Sequence, residues 1–407
     1  MTTSAPEQAS PRSAGTVREV FLAFLKLGVT SFGGPIAHLG YFRDELVVRR
    51  RWVSEKNYAD LVALCQFLPG PASSQVGFAL GLLRAGAGGA LAAWAAFTLP
   101  SAILLVGFAF GASLFDNPVA DGILSGLKIV AVAIVAQAVM GMARALTPDA
   151  RRASIAVGAV LLALLVGGTV GQVSAIVLGA LAGLFLCREA VGTAAADALR
   201  FPVSKRAGIT ALSVFAALLI ALPIAATLLH STAVDVADAF YRAGALVFGG
   251  GHVVLPLLQA EVVPAGWVTP DQFLAGYGAA QAVPGPLFTF AAYLGAFAAP
   301  VALGLVTAAI ALVAIFLPGM LLLVGMLPFW AHFRAMPRAG ALMRGANAAV
   351  VGILAAALYD PVFVTAIVGP AEFGLALVCF VLLVAWRMAP WIVVLVAAAG
   401  GVVIGLL

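Results

Sequence analysis

The chain of 407 residues is 63% hydrophobic, carries charge on only 10% of its positions and has a formal net charge of +5. Soluble domains carry roughly 25% charged residues, so this sequence cannot cover a water-facing surface with polar groups. Its basic residues sit in short loops between apolar runs, which argues against a nucleic-acid partner and for the positive-inside pattern of a membrane protein.

In chain order, the first 16 residues are polar and no short apolar run with a small-residue cleavage site follows, so no signal peptide is expected. Segment 17–50 is apolar but broken at Gly33-Gly34-Pro35, and segment 57–83 is broken at Pro69-Gly70-Pro71. Helices are predicted over 88–112 and 122–145, then a helical pair over 153–168 and 174–187. A basic stretch from Arg188 to Arg206 leads to a helix over 207–229. Two further broken segments follow, then a helix over 301–327 and three more crossings. Spanning hydrocarbon takes about 20 apolar residues, and backbone in lipid must satisfy its own hydrogen bonds, so these spans are helical. The alternation of a membrane β-barrel is absent. The fold expected is an all-α polytopic membrane protein. Cys65, Cys187 and Cys379 lie far apart in or beside apolar segments and read as small core residues. Neither a metal site nor a cofactor is expected.

The chain repeats itself. Phe24-Leu25-Lys26-Leu27-Gly28 before Phe32-Gly33-Gly34-Pro35 returns as Phe240-Tyr241-Arg242-Ala243-Gly244 before Phe248-Gly249-Gly250-Gly251. Trp52-Val53 matches Trp267-Val268, and Gln66 to Pro71 matches Gln281 to Pro286. Leu99-Pro100 matches Leu317-Pro318, and Gly126 matches Gly345. The domains expected are a first repeat over 1–190, a basic linker with a connecting helix over 191–229, and a second repeat over 230–407. Internal repeats with matching Gly/Pro interruptions are a mark of transporters, and the interruptions point to the substrate site.

Loop charge sets the topology. With both broken segments of the first half as re-entrant hairpins, all but three of the 22 Lys and Arg residues fall on one side. That side holds Arg12, Arg18, Arg43 to Lys56, Arg84, Arg144 to Arg152, Arg188 to Arg206, Arg334 to Arg344, and Arg387. The other side holds Asp116, Asp121, Asp235, Asp238, Glu261 and Asp271. About nine crossings result, with an odd number between the repeats, so the halves are expected to be inverted.

The three remaining cations, Lys26, Arg242 and Lys128, lie within apolar segments or at their edge, where ionisable groups are functional candidates. No carboxylate sits well inside an apolar run, which points to an anionic substrate. Helices starting after the breaks would aim positive N-terminal ends inward. The expected site comprises Lys26, Gly33, Gly34, Pro35, Gln66, Pro69, Gly70, Pro71, Ser73, Ser74, Gln75 and Lys128. From the second half it takes Arg242, Gly249, Gly250, Gly251, Gln281, Pro284, Gly285, Pro286 and Thr289. His38 and His252, near the breaks but at non-equivalent positions, are candidates for proton coupling. Competing readings are simple Pro kinks for the breaks and lipid-interface snorkelling for Lys26 and Arg242. For Lys128 the competing reading is a pair with a neighbouring carbonyl.

No catalytic constellation and no nucleotide-binding loop occurs, so transport would draw on an ion gradient or an exchange partner. A channel, or a membrane enzyme acting on a lipid-borne anion, remains open at this point.

Phe-Gly-Gly-Pro at 32–35, the block from Trp52 to Pro71, and the second copies at Phe248-Gly249-Gly250 and Pro284-Gly285-Pro286 resemble the chromate ion transporter (CHR) family in its long two-domain form. The resemblance implies chromate efflux from the bacterial cytoplasm across the inner membrane, with the N-terminus cytoplasmic. It also implies handling of sulfate, a tetrahedral dianion of similar size. A homodimer is left open. Gly251 where the first half has Pro35 departs from strict symmetry.

Overall fold

The computed structural model describes residues 15–112, 117–187, 201–334 and 336–406, and every regular element among them is helical. The first half contains α1 (Val17–Thr30), α2 (Gly34–Phe42), α3 (Glu55–Phe67), α4 (Ala72–Ala112), α5 (Pro118–Leu146), α6 (Ala150–Val166) and α7 (Gly168–Leu186). The connecting helix α8 (Lys205–Leu229) leads to α9 (Thr232–Ala245), α10 (Val254–Val262), α11 (Pro270–Ala282), α12 (Phe290–Phe297) and α13 (Val301–Met326). Then come α14 (Trp330–Arg334), α15 (Pro337–Ala357), α16 (Val364–Ala366), α17 (Pro370–Val384) and α18 (Pro390–Leu406). Arg12, Asp116, Arg188 and Arg200, used above for topology, lie outside the described residues.

The broken segments of the first half fold back on themselves, as re-entrant hairpins do. At 1.5 Å per residue, α1 with 14 residues and α3 with 13 reach about 20 Å, short of the roughly 30 Å of hydrocarbon. The long stretch α4 is two legs. Ala85 (φ −143°, ψ 30°) and Gly86 (φ 64°, ψ −157°) reverse the chain, so that a Cβ on Gly81 would collide with the carbonyl of Gly89. A positive φ of this kind suits glycine. The start of α1 and the end of α4's first leg then meet. The Gly15 amide donates to the Arg84 carbonyl (3.0 Å), and Arg84 pairs with Glu19 (3.1 Å). The Trp52 indole also donates to Glu19 (3.2 Å), which brings the end of the first hairpin to the same place. Thr16 and Ser54 cap α1 and α3 at this end by accepting backbone amides.

Among the described residues, six helices are long and apolar enough to cross a membrane by length and composition: α4, α5, α7, α8, α13, and α15 with its continuation to Ala366. The nine crossings expected from charge also require α6, α17 and α18, of 17, 15 and 17 residues. Among the apolar side chains of α8, only Ala211 is buried, as suits a helix against lipid.

The halves clasp one another reciprocally. The helix α5 packs on α17 and α18, whereas its counterpart α15 packs on α6 and α7. Both crossings are close because glycine stands at equivalent positions. A Cβ on Gly126 would lie 2.7 Å from Ala398 Cα, and one on Gly345 would lie 2.8 Å from Gly183 Cα. Small residues that let backbones approach are the usual adhesive of membrane helices. The repeat also shows in aromatic pairs: Phe24 meets Trp52 at 6.5 Å, and Phe240 stacks on Trp267 at 6.4 Å. On the acidic side, Lys128 bonds Asp271 (2.8 Å) and Thr169 donates to Glu261 (2.9 Å). On the basic side, Arg344 donates to the Cys187 carbonyl (2.6 Å). All three cysteines are buried, in keeping with their reading as small core residues.

Candidate functional site

The four breaks meet at the boundary between the halves. The Gly70 amide donates to the carbonyl of Val247, just before the second Gly-rich break (2.7 Å). Reciprocally, the Gly285 amide donates to the carbonyl of Ser31, just before the first (2.9 Å). These bonds join each Pro-Gly-Pro turn to the opposite half. They require left-handed backbone at Gly70 (φ 117°) and Gly285 (φ 105°). The kinked helices behind them are also exchanged. A Cβ on Gly70 would stand 3.0 Å from Gly319 Cα, after Pro318, and one on Gly285 would stand 2.8 Å from Ser101 Oγ, after Pro100. The Gly-rich breaks meet too, since a Cβ on Gly251 would lie 3.0 Å from Pro35 Cγ.

This centre is rich in backbone donors. The helical turns that open at Gly33, Gly250 and Pro286 have no side-chain cap. Uncapped first-turn amides carry the positive end of the helix dipole and suit oxyanions. Several buried side-chain atoms at and around the breaks have no hydrogen-bond partner in the protein: Ser31 Oγ, Ser74 Oγ, Gln75 Oε1, Thr98 Oγ1, Gln281 Nε2 and Asn347 Oδ1. Buried polar atoms are normally satisfied, so this centre is suited to a polar guest. Asn347 is a residue that sequence reading missed. It stands at the repeat equivalent of Lys128, and its Oδ1 lies 3.7 Å from where a Cβ on Gly249 would be.

The predicted cations are placed differently from expectation. Lys26 is bound to Glu45 (2.8 Å), and Arg242 is bound to Glu261 (2.9 Å), each pair 19 residues apart. Glu45 is buried, and Arg49 (3.3 Å) and Arg50 (2.8 Å) also converge on it. Arg242 is shared with Asp238 (2.8 Å), which is also buried. Two equivalent carboxylates that sequence reading left out of the site, Glu45 and Glu261, clamp the legs of the first hairpin in each half. Burial alone would push the Glu45 carboxyl up, but hydrogen bonds from Lys26 and Arg50 outweigh it and hold the group at about 2. Lys128, read as pairing with a carbonyl or an anion, is tied to the Asp271 carboxylate instead.

The remaining candidates divide. Ser73 bonds His38 Nδ1 (3.4 Å), and Thr289 donates to the Pro286 carbonyl (2.7 Å), so both are engaged. Gln75 braces the site through its amide nitrogen, which donates to the carbonyls of Pro69 (3.0 Å) and Gly319 (2.8 Å). Gln66 and Gln281, symmetric in sequence, are not symmetric in space: Gln66 is exposed, and Gln281 presents a buried amide nitrogen. His38 is buried with its ring edge-on to Phe97, and His252 accepts from or donates to Tyr277 Oη (2.8 Å). Among the described residues, no group of His, Cys, Asp and Glu is arranged to hold a metal ion.

The sequence profile of the chromate transporter family matches residues 18–184 and 234–402. A "Probable chromate transport protein" of Synechococcus elongatus is 30% identical over 361 residues, covering 85% of this chain and 84% of that protein. A "Chromate transport protein" of Pseudomonas aeruginosa is 29% identical over 403 residues, covering 94% of this chain and 90% of that one. A protein of the same description from Cupriavidus metallidurans is 29% identical, with 84% and 82% covered. No solved structure matches. With both matched segments folding into the two reciprocal halves described above, the chain belongs to the chromate transporter family.

Proposed function

We propose that this protein carries chromate out of the cytoplasm across a bacterial inner membrane, with the N-terminus cytoplasmic. The two repeats, 1–190 and 230–407, form the inverted halves of the carrier. The observation that carries the reading is the pair of crossed bonds, Gly70 to Val247 and Gly285 to Ser31, which gathers uncapped helix starts at one point. Their amides, with Ser74, Gln281 and Asn347, supply neutral donors and acceptors for a tetrahedral dianion, while Lys26 and Arg242 are held in ion pairs. Neutral dipoles suit a carrier: they stabilise the anion without the tight hold of a bare guanidinium, so that it can leave. An inside-negative potential favours export of a dianion by about 5 kcal/mol per 100 mV, so no nucleotide is required. The distribution of basic loops supports the cytoplasmic placement of the N-terminus.

Sulfate has the same shape and charge and is proposed as a second substrate of the same site. Net uptake of labelled chromate and labelled sulfate into proteoliposomes of the full chain, with and without an imposed potential, tests both. Uptake of chromate that is accelerated by a potential positive on the trans side is expected. Transport of neither anion sinks the assignment, and transport that ignores the potential sinks the electrogenic mechanism.

A further inference from the structure

We propose that Asp238, Arg242 and Glu261 form a proton-binding site whose occupancy is linked to that of the anion. The inference rests on the anion-transport reading above. One nitrogen of Arg242, Nη2, holds two carboxylates, Asp238 Oδ2 at 2.8 Å and Glu261 Oε2 at 2.9 Å. One cation and two anions leave the cluster at −1. Asp238 is only 6% exposed, and its Oδ1 has no hydrogen-bond partner. The second oxygen of Glu261 already accepts from Thr169 on α7. Two carboxylates about one nitrogen repel each other, and burial disfavours the uncompensated charge. A single proton on Asp238 Oδ1 neutralises the cluster and leaves the Arg242–Glu261 pair intact.

Among the described residues, the elements that pack most extensively on this helix bring no other compensating charge close to the cluster. On α9 itself stand Asp235, one turn away, and Tyr241, whose hydroxyl donates to the Phe215 carbonyl (3.0 Å). The elements packed on α9 are α8, α10 and α13. The helix α13 has no ionisable side chain, α10 brings only Glu261, and α8 bears Lys205 and Arg206 at the end remote from α9. In the first half, the equivalent of Asp238 is Leu22, and Glu45 faces Lys26, Arg49 and Arg50, so that cluster stands at +2. The two clusters are thus opposite in charge, and only the second has a carboxylate in excess. Arg242 stands five residues before Val247, whose carbonyl receives the Gly70 amide, so a dianion at the breaks feels a net −1 when Asp238 is ionised and a neutral cluster when it is protonated. Proton and anion therefore strengthen each other's binding by the same factor.

Two measurements on the full chain in lipid nanodiscs test this. In infrared difference spectra, acidification from about pH 8 to about pH 5 is expected to raise a protonated-carboxyl band. The band should vanish in Asp238→Asn and persist in Asp235→Asn. In sulfate titrations, with chromate binding measured at about pH 8 where it too is a dianion, affinity for sulfate is expected to rise about tenfold over that range in the wild type and to be flat in Asp238→Asn. Asp238→Glu should restore the slope. Glu261→Gln, which also removes the excess charge, serves if Asp238→Asn does not fold. A band and slope unchanged in Asp238→Asn overturn the site. Anion binding without pH dependence in the wild type overturns the linkage alone. Binding of neither anion at any pH overturns the transport reading with the linkage, and the infrared band then still decides the proton site.

Discussion

The amide of Gly70 donates to the carbonyl of Val247 across the boundary between the two halves, at 2.7 Å. Its counterpart runs from Gly285 to Ser31, so each half completes the broken backbone of the other. Unwound backbone at membrane depth persists only where protein or a wet cavity satisfies it. Gly70→Ala should be the more damaging substitution. Either alanine is forced into left-handed backbone, and the Cβ of Gly70→Ala also stands 3.0 Å from Gly319 Cα, which cannot step aside. Gly285→Ala meets Ser101 Oγ at 2.8 Å, and that hydroxyl can rotate away by giving up its bond to the Thr98 carbonyl. Losses of about 4 and about 2 kcal/mol in stability are expected. Thermal unfolding in detergent and chromate counterflow check the order; equal effects would contradict it.

Lys26 and Arg242 occupy the same repeat position but should respond unequally to neutralisation. In Lys26→Gln, Glu45 keeps Arg49 and Arg50. In Arg242→Gln, Asp238 and Glu261 lose the one cation they share. Breaking a buried pair leaves an uncompensated charge that costs about 3 kcal/mol or more, whereas an exposed partner costs about 1. Arg242→Gln should therefore insert poorly, and adding Glu261→Gln with Asp238→Asn should restore folding. Expression level and size-exclusion profiles provide the readout, and robust expression of Arg242→Gln alone would refute it.

Much of this arrangement was legible in the sequence. The breaks could be read because Gly33-Gly34 and Pro69-Gly70-Pro71 interrupt apolar runs and recur in order in the second half. The re-entrant hairpins followed from Arg43 to Lys56 lying on the side of Arg18 and Arg84. What the two copies do to each other could not be read, because the bonds from Gly70 to Val247 and from Gly285 to Ser31 are backbone contacts without a side-chain signature. Glu45 was passed over because it sits in a charged loop. Only carrying the repeat register past the break pairs it with Glu261 and exposes the shared spacing from Lys26 and Arg242. Gln66 and Gln281 show the converse failure, since equal sequence position led to one exposed and one inward-facing amide.

Acid stability follows from Glu45. Its carboxyl is held at about 2 against an ordinary value of 4.5. The folded state thus binds its proton less readily than the unfolded state does. The stabilisation is full above the unfolded value and is lost as pH falls through about 4 toward about 2. With allowance for the exposed cations around it, about 2 kcal/mol is at stake. The unfolding temperature in detergent should drop along this limb in the wild type. Glu45→Gln should start lower at neutral pH and show a shallower acid limb; a parallel limb would assign the drop to other groups.

The reciprocal clasp of the halves makes a prediction that uses the protein's own controls. Gly126 on α5 and Gly345 on α15 sit where α18 and α7 cross, and an added methyl at either meets backbone, with Ala398 Cα at 2.7 Å and Gly183 Cα at 2.8 Å. Backbone cannot yield as a flexible side chain can, so the helices must separate. Gly141 on α5 and Gly158 on α6 have nothing within 4 Å of the same methyl. Alanine there should be neutral or slightly stabilising, since glycine is the weaker helix former. Gly126→Ala and Gly345→Ala should each cost about 1–3 kcal/mol by overpacking. Being equivalent in the repeat, they should cost similar amounts. Thermal unfolding of the four variants in one detergent compares them directly. A destabilised Gly141→Ala, or a tolerated Gly345→Ala beside a damaging Gly126→Ala, would mean that the two crossings do not bear on the assembly equally.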